Sequence, residues 1–544
     1  MAQILEIKAN YVDIFNQKTY PALVQVVEGK ISQVLSLPGP CDGYILPGFV
    51  DAHVHIESSM LVPTEFARLA VVHGTVATVS DPHEIANVLG LDGVRFMLQN
   101  AGQTPFKFAF GAPSCVPATT FETAGAAISP AEIAQLFAEE GIKYLAEMMN
   151  WPGVLYHDQM VYEKIGIAQR FGRPIDGHAP GLRGEQARAY ASAGISTDHE
   201  CFARDEALDK LACGMKILVR EGSAAKNFDA LVGLLPQHWA QMMFCSDDKH
   251  PDSLVDGHLD QLARRAVRAG VDVYQVLRVA CANPVAHYGL PVGLLRPGDP
   301  ADFIVVDDLR DFRVRQTWIG GLLVAEEGRS LLPPVPVVPV NRFRARPVAG
   351  ADFQVRAAGP RLRAIEALDG ELITRQVLVP ATVADGLAVA DPSRDLLKLA
   401  VVNRYAPAPP AVAFIRNFGL RAGALASSVA HDSHNIVAVG CDDDALARAV
   451  NLVIGAQGGI AACHGPDERV LPLPVAGLMS AADGYQVARD YSALDQMAKA
   501  MGSGLRSPFM TLSFMALLVI PALKLSDLGL FDGEKFSFVD LFAE

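Results

Sequence analysis

Two histidines two residues apart, His53 and His55, lie in the stretch PGFVDAHVHIESS from Pro47 to Ser59. The residues before them, Gly48-Phe49-Val50, are short, apolar and turn-bounded, as a buried strand is. Residues i and i+2 of a strand point to the same side, so the two imidazoles converge on one point. Imidazole nitrogen is a common ligand of transition metals. A bare H-x-H pair fits two hydrogen-bonded strand-end histidines equally well, so the other candidates have to separate the two readings.

Those candidates recur at the ends of apolar runs. Asp81-Pro82-His83-Glu84 follow the second run, Glu147 closes the fourth, His178 the fifth and His199 the sixth, and Asp247 and Asp248 follow the eighth. A lone His or Glu at a strand end is usually structural or solvated. Four histidines and two carboxylates at the ends of five strands are hard to explain that way. Asp81 and Pro82 also fit a helix N-terminus, Asp81 capping and Pro82 in the first turn. Farther on, His431-Asp432-Ser433-His434-Asn435 contains a His-x-x-His pair that could bind metal. A turn whose side chains cap the backbone is the favoured reading there.

Eight strand candidates position these residues: Gly48–His53, Thr75–Ser80, Phe106–Gly111, Ile142–Glu147, Pro174–His178, Gly194–His199, Met215–Arg220 and Met242–Ser246. Helical patterns lie between several of them, at Ala131–Glu140, Tyr162–Phe171 and Gly184–Ala193. Strands alternating with helices predict an α/β fold, a TIM-like (β/α)8 barrel over residues 47–284. Its catalytic face is the C-terminal ends of the strands. Residues 1–46 and the stretch from Ala301 to Glu327 share a texture of short alternating segments, and residues 1–46 with 285–332 are expected to join as one small β-rich domain. The Pro-rich stretch LLPPVPVVPV from Leu331 reads as extended, with a linker over 333–347. Residues 348–544 mix strand-like and helical runs and are expected to form an α+β domain.

The 544 residues exceed one ordinary core, half of them are hydrophobic and 19% are charged, so two or three folded domains are expected. A formal net charge of −14 argues against a nucleic-acid polymer as partner, because phosphate contacts need basic patches. It leaves a nucleobase open. The eight cysteines are scattered without C-x-x-C pairs, which favours a reduced, cytoplasmic compartment. The first residues lack the build of a signal peptide. The most apolar run, Phe509 to Leu525, contains Pro521 and reads as a core element rather than a membrane span. No G-x-x-x-x-G-K-[ST] or G-x-G-x-x-G motif anchors nucleotide or NAD chemistry.

PGFVDAHVHIESSM, SDPHEIANV, EMMN, GHAPG, TDHE and SDD, in that order, resemble the bacterial adenine deaminases of the amidohydrolase superfamily. ASSVAHDSHNI, LPLPVAGLMS and FMTLSFMALLVIPALKL resemble that family's C-terminal domain, so the likeness covers nearly the whole chain. The resemblance implies two divalent transition-metal ions per barrel. His53 and His55 with Asp247 would hold one ion, His178 and His199 the other, and Glu147 would bridge them. Many superfamily members bridge with a carboxylated lysine at the fourth strand. Here Lys143 lies at the wrong end of that strand, and Glu147 supplies the oxygens. Imidazole and carboxylate ligands without cysteine suit manganese, iron or zinc, and the resemblance leans toward manganese or iron. It also implies adenine as a small-molecule substrate; a homo-oligomer is expected, with no nucleic-acid polymer and no membrane as partner.

The implied chemistry is hydrolytic deamination of adenine to hypoxanthine and ammonia. A divalent ion lowers the pKa of water from 15.7 to about 7, giving hydroxide at neutral pH. Asp247 is the expected proton shuttle, and Asp81, His83 and Glu84 are expected near the substrate. His83 and Glu84 could protonate a ring nitrogen or orient the base. The zinc deaminase design with H-x-E and P-C-x-x-C is excluded, since no such cysteine pair exists. Two rivals remain: another binuclear-metal amidohydrolase acting on a cyclic amide or N-acyl group, since fold and metals do not name a substrate, and a non-catalytic protein that kept the barrel.

Overall fold

The computed structural model describes residues 4–543. Parallel strands form its centre. Phe49–Val54, Thr75–Ser80, Lys107–Ala112, Tyr144–Met148 and Ile175–Gly177 make a five-stranded sheet in sequence order, and Thr197–Asp198, Lys216–Arg220 and Met242–Cys245 make a three-stranded one. Every residue of the first, second, fourth and eighth of these strands is buried. That is the signature of a parallel sheet covered on both faces, and it explains why these runs read as continuously apolar.

Hydrogen bonds join the two sheets at both seams. Ser196 N–H donates to Ile175 O at 2.8 Å, and Asp247 N–H donates to His53 O at 2.9 Å. The second seam is reinforced by a fully buried side chain, Asp51. Its Oδ1 accepts from Ser246 N–H at 3.0 Å, and its Oδ2 accepts from Ser246 Oγ at 2.5 Å and lies 2.9 Å from His258 Nε2. One carboxylate thus ties the first strand to the end of the eighth, two residues from His53.

The expected strand Gly194–His199 is reduced to Thr197–Asp198. Gly194 turns the chain with a φ of 101°, a conformation that suits glycine. Thr197 Oγ1 then accepts the Gly177 N–H at 3.2 Å in place of a ladder carbonyl. Asp198 is pinned by Lys210 Nζ at 2.8 Å and accepts Ala179 N–H at 2.9 Å. The fifth and sixth strands therefore stop at Gly177 and Asp198, and His178 and His199 are the next residues after them. The helix expected from Ala131 begins at Pro130. Ser129 Oγ accepts Glu132 N–H while Glu132 accepts Ser129 N–H at 2.7 Å, a reciprocal cap with proline in the first turn.

An eight-stranded sheet is built from both sides of this region. Tyr44–Pro47 lies between Ile4–Asp13, to which it is parallel, and Phe303–Val306, to which it is antiparallel. Residues 285–288 belong to the helix Asn283–Tyr288, and the strands of the later half begin at Phe303. Residues 331–349 hold no helix or strand. They are strapped to the C-terminal region by Ala476 N–H to Val340 O at 2.6 Å and Arg344 N–H to Arg404 O at 2.7 Å.

Beyond Gly350 lies a nine-stranded mixed sheet that includes Leu397–Val402, Ala411–Arg416 and Ile436–Gly440, with the helices Asp443–Gly455 and Gly484–Ala500. One apolar core runs from Val50 and Val79 of the parallel strands to Leu399, Val437 and Met479 of this region. The apolar run from Phe509 is not one element. It breaks into the helix Pro508–Ser513, a 3-10 turn at Phe514–Ala516 and the strand Leu523–Ser526, with Pro521 removing a donor between them. Among the described residues no helix is long and apolar enough to cross a membrane, and all eight cysteines are free thiols.

Asp51→Ala strips the partners from Ser246 and His258 inside the core. Breaking a buried polar pair costs on the order of 3 kcal/mol, so the urea midpoint should fall clearly below that of wild type. An unchanged midpoint would remove Asp51 from the seam.

Candidate active site

His53 and His55 end the first strand with their Nε2 atoms 3.2 Å apart. Asp247 meets them because its backbone is paired across the seam, His55 N–H donating to Asp247 O at 3.3 Å. Its φ of 54° is rare for a residue with a Cβ. Asp247 Oδ1 lies 3.5 Å from His53 Nε2 and 3.2 Å from His55 Nε2.

Glu147 stands between this trio and two further histidines. Its Oε1 is 3.2 Å from His55 Nε2, while its Oε2 is 2.7 Å from His178 Nδ1 and 3.2 Å from His199 Nε2. The His53 and His199 rings stack at 4.1 Å. Burial alone would raise the pKa of Glu147; His178, His199 and His55 together hold it well below the usual carboxylate range. All six side chains are buried.

This donor set fits divalent metal. Imidazole nitrogens and carboxylate oxygens converge in overlapping groups, among them His53/His55/Asp247, His53/Glu147/His199 and His178/His199/Glu200. The buried nitrogens His53 Nδ1 and His178 Nε2 have no hydrogen-bond partner. Several imidazole nitrogens facing each other and two carboxylates in a dry site leave a charge problem that cations resolve.

Two residues that the sequence reading left out support this cluster. Arg220, at the end of the seventh strand and fully buried, places its guanidinium on Asp247 Oδ2 and on both oxygens of Glu200, at 2.6 and 3.1 Å. Burial would raise Asp247, and Arg220 with His53 and His55 overcomes it, holding the carboxyl well below its ordinary range. Burial likewise opposes the charge on Glu200, yet Arg220 and His178 bring it down to about 2. Glu200 lies 3.3 Å from His199 Nε2. The available signals were its place directly after His199 in TDHE and the position of Arg220 at a strand end.

The residues after the second strand divide. Asp81 Oδ1 accepts the His83 N–H at 3.0 Å, and the N-cap position of the helix His83–Leu89 is Pro82, one residue before the first turn in which it was expected. His83 Nδ1 lies 3.1 Å from Asp81 Oδ2 and 3.5 Å from Glu147 Oε1, beside the cluster. Glu84 turns instead to the C-terminal region, where His431 Nδ1 contacts its Oε1 and His434 Nε2 lies 2.5 Å from its Oε2. The expected backbone-capping turn is present for His434, whose Nδ1 accepts the Ala430 N–H at 3.1 Å. For His431 that expectation is corrected: its side chain reaches Glu84, after the second parallel strand, and lines the site. A pocket opens here, lined by these acids and histidines together with Leu372, Phe514, Leu517 and Val519.

Residues 44–324 match the amidohydrolase family, and residues 371–537 match the adenine deaminase C-terminal domain. The chain is 56% identical to an adenine deaminase of Salinibacter ruber over 100% of both chains. It is 56% identical to one from a Sulfurovum species over 98% of this chain and 99% of that one. It is also 45% identical to one from Borreliella burgdorferi over 99% and 100%. Matched end to end at these identities, the chain belongs to the adenine deaminase family, within the amidohydrolases.

Proposed function

We propose that the buried cluster is a two-metal centre at which the chain hydrolyses adenine to hypoxanthine and ammonia. The observation that carries this reading is Glu147, one oxygen turned to His55 and the other to His178 and His199. His53, His55 and Asp247 would hold one ion, His178 and His199 the other, and Glu147 both. The imidazole and carboxylate donors suit manganese or iron, with zinc compatible. Full-length similarity to adenine deaminases supports adenine over a cyclic amide or an N-acyl group.

The two sheets in sequence order, hydrogen-bonded at both seams, support a closed (β/α)8 barrel over residues 47–284. The shared eight-stranded sheet supports a β domain from 1–46 and 285–332, with a linker at 333–347 and the C-terminal domain from 348. Eight free thiols are in keeping with a reduced cytoplasmic setting.

Divalent ions held there would make water acidic enough to attack at neutral pH. The chain's own residues then manage two protons. Water adds to the ring carbon that bears the amino group. One of its protons ends on a ring nitrogen and the other on the departing nitrogen, which leaves as ammonia. Asp247 carries the second proton. One of its oxygens faces His53 and His55 and the other Arg220, which fixes the orientation of the carboxylate. Both oxygens of Glu84 are occupied by histidines, which leaves His83 to serve the ring nitrogen and Glu84 to orient its neighbours.

Asp247→Asn should keep the second metal bound while losing on the order of 10²–10⁴ in turnover, the usual cost of a proton-transfer group. An adenine-to-hypoxanthine absorbance assay beside elemental analysis reads both; near-normal turnover would take Asp247 out of the mechanism. Glu147→Ala should lower the metal content from about two ions per chain, as a bridge in a two-metal site requires. If reloaded Glu147→Ala still binds two ions with unchanged affinity, the bridge is wrong, although the adenine activity would stand.

A further inference from the structure

We propose that His431, carried in by the C-terminal region, hydrogen-bonds a ring nitrogen of adenine through its Nε2; this rests on the adenine reading above. The geometry fixes one face of the imidazole and leaves the other free. His431 Nδ1 is committed to Glu84 Oε1. Glu84 cannot swing away, because its Oε2 is held by His434 Nε2 at 2.5 Å. The His434 tautomer is set by the Ala430 N–H, which donates to Nδ1 at 3.1 Å, so its Nε2 carries the proton and donates to Glu84. Phe514 stacks on the His431 ring at 5.1 Å and an interplanar angle of 27°.

The opposite nitrogen, His431 Nε2, is buried and has no partner. Asp248 Oδ1, the nearest acid, is 4.0 Å away, beyond hydrogen-bond reach. His431, Phe514 and Glu84 all line the cavity that also holds Glu147 and Asp247. A buried polar nitrogen without a partner is costly unless a ligand or water completes it. Burial opposes a charge on His431, but Glu84, Asp248 and Asp432 raise its pKa to about 9, so Nε2 carries hydrogen at neutral pH. Adenine offers three ring nitrogens with lone pairs, so the donor meets an acceptor. The C-terminal region thereby supplies a base-reading group in addition to His83.

The test compares 1-, 3- and 7-deazaadenine as inhibitors, each replacing one ring nitrogen by a CH group, on wild type and on two variants. In His431→Asn the amide nitrogen stands near the position of Nδ1 and keeps the Glu84 contact while Nε2 is lost. In His431→Gln the amide nitrogen stands near the position of Nε2. Wild type should bind the analogue that lacks the nitrogen met by His431 about 10- to 100-fold more weakly than an analogue whose changed position meets no protein donor, the range for a hydrogen bond to a charged group. That penalty should disappear in His431→Asn and persist in part in His431→Gln, with metal content unchanged in both. Equal binding of all three analogues by wild type overturns the proposal without any variant. So does a penalty of the same size in His431→Asn, which would mean that only water meets Nε2. A metal-loaded wild type inert toward adenine instead sinks the functional reading, and this inference with it.

Discussion

Glu147 is a carboxylate sealed from water between histidines that arrive from three different strands. A lone ion buried that deeply is strongly disfavoured, so everything around it has to supply positive charge or hydrogen bonds. The parallel strands must therefore stop at the same level, because one strand slipped by a residue would turn its histidine to the other face. The short fifth and sixth strands meet this requirement. They end at Gly177 and Asp198, and His178 and His199 come immediately after.

The surrounding polar groups act as struts for that level. Asp51 locks the first strand to the end of the eighth, and the backbone of Asp247 crosses the same seam. Arg220 braces Asp247 and Glu200 together. Each strut is buried, and each joins residues that are close in space and distant in sequence. Because the apolar core is continuous from the parallel strands to the C-terminal sheet, the C-terminal region is packed as a wall of the site, with Phe514, Leu517 and Val519 facing the acids.

This arrangement decides which residues were legible in the sequence. The strands were legible because residues buried on both faces form apolar runs, and His53 and His55 because the two-residue period of a strand is local. Glu147, His178, His199 and Asp247 stood out by ending such runs. Arg220 and Glu200 did not, since an arginine or a glutamate at a strand end has no meaning until its partners from other strands are known. His431 was least legible: its partner Glu84 lies 347 residues away, and nothing in a His-x-x-His turn reveals that it faces the ends of the parallel strands. The apolar run at Phe509 was legible as core, where Phe509, Met510, Leu512 and Met515 lie; its break into a helix, a turn and a strand and the place of Phe514, Leu517 and Val519 at the site were not.

The role proposed for Glu147 is to lie between two metal ions. Anomalous diffraction from crystals of manganese-loaded protein, collected at an energy where manganese scatters anomalously, tests it most directly. The account predicts two peaks flanking the Glu147 carboxylate, one beside His53, His55 and Asp247 and the other beside His178 and His199. A single peak at full activity, or a second peak remote from Glu147, would contradict it.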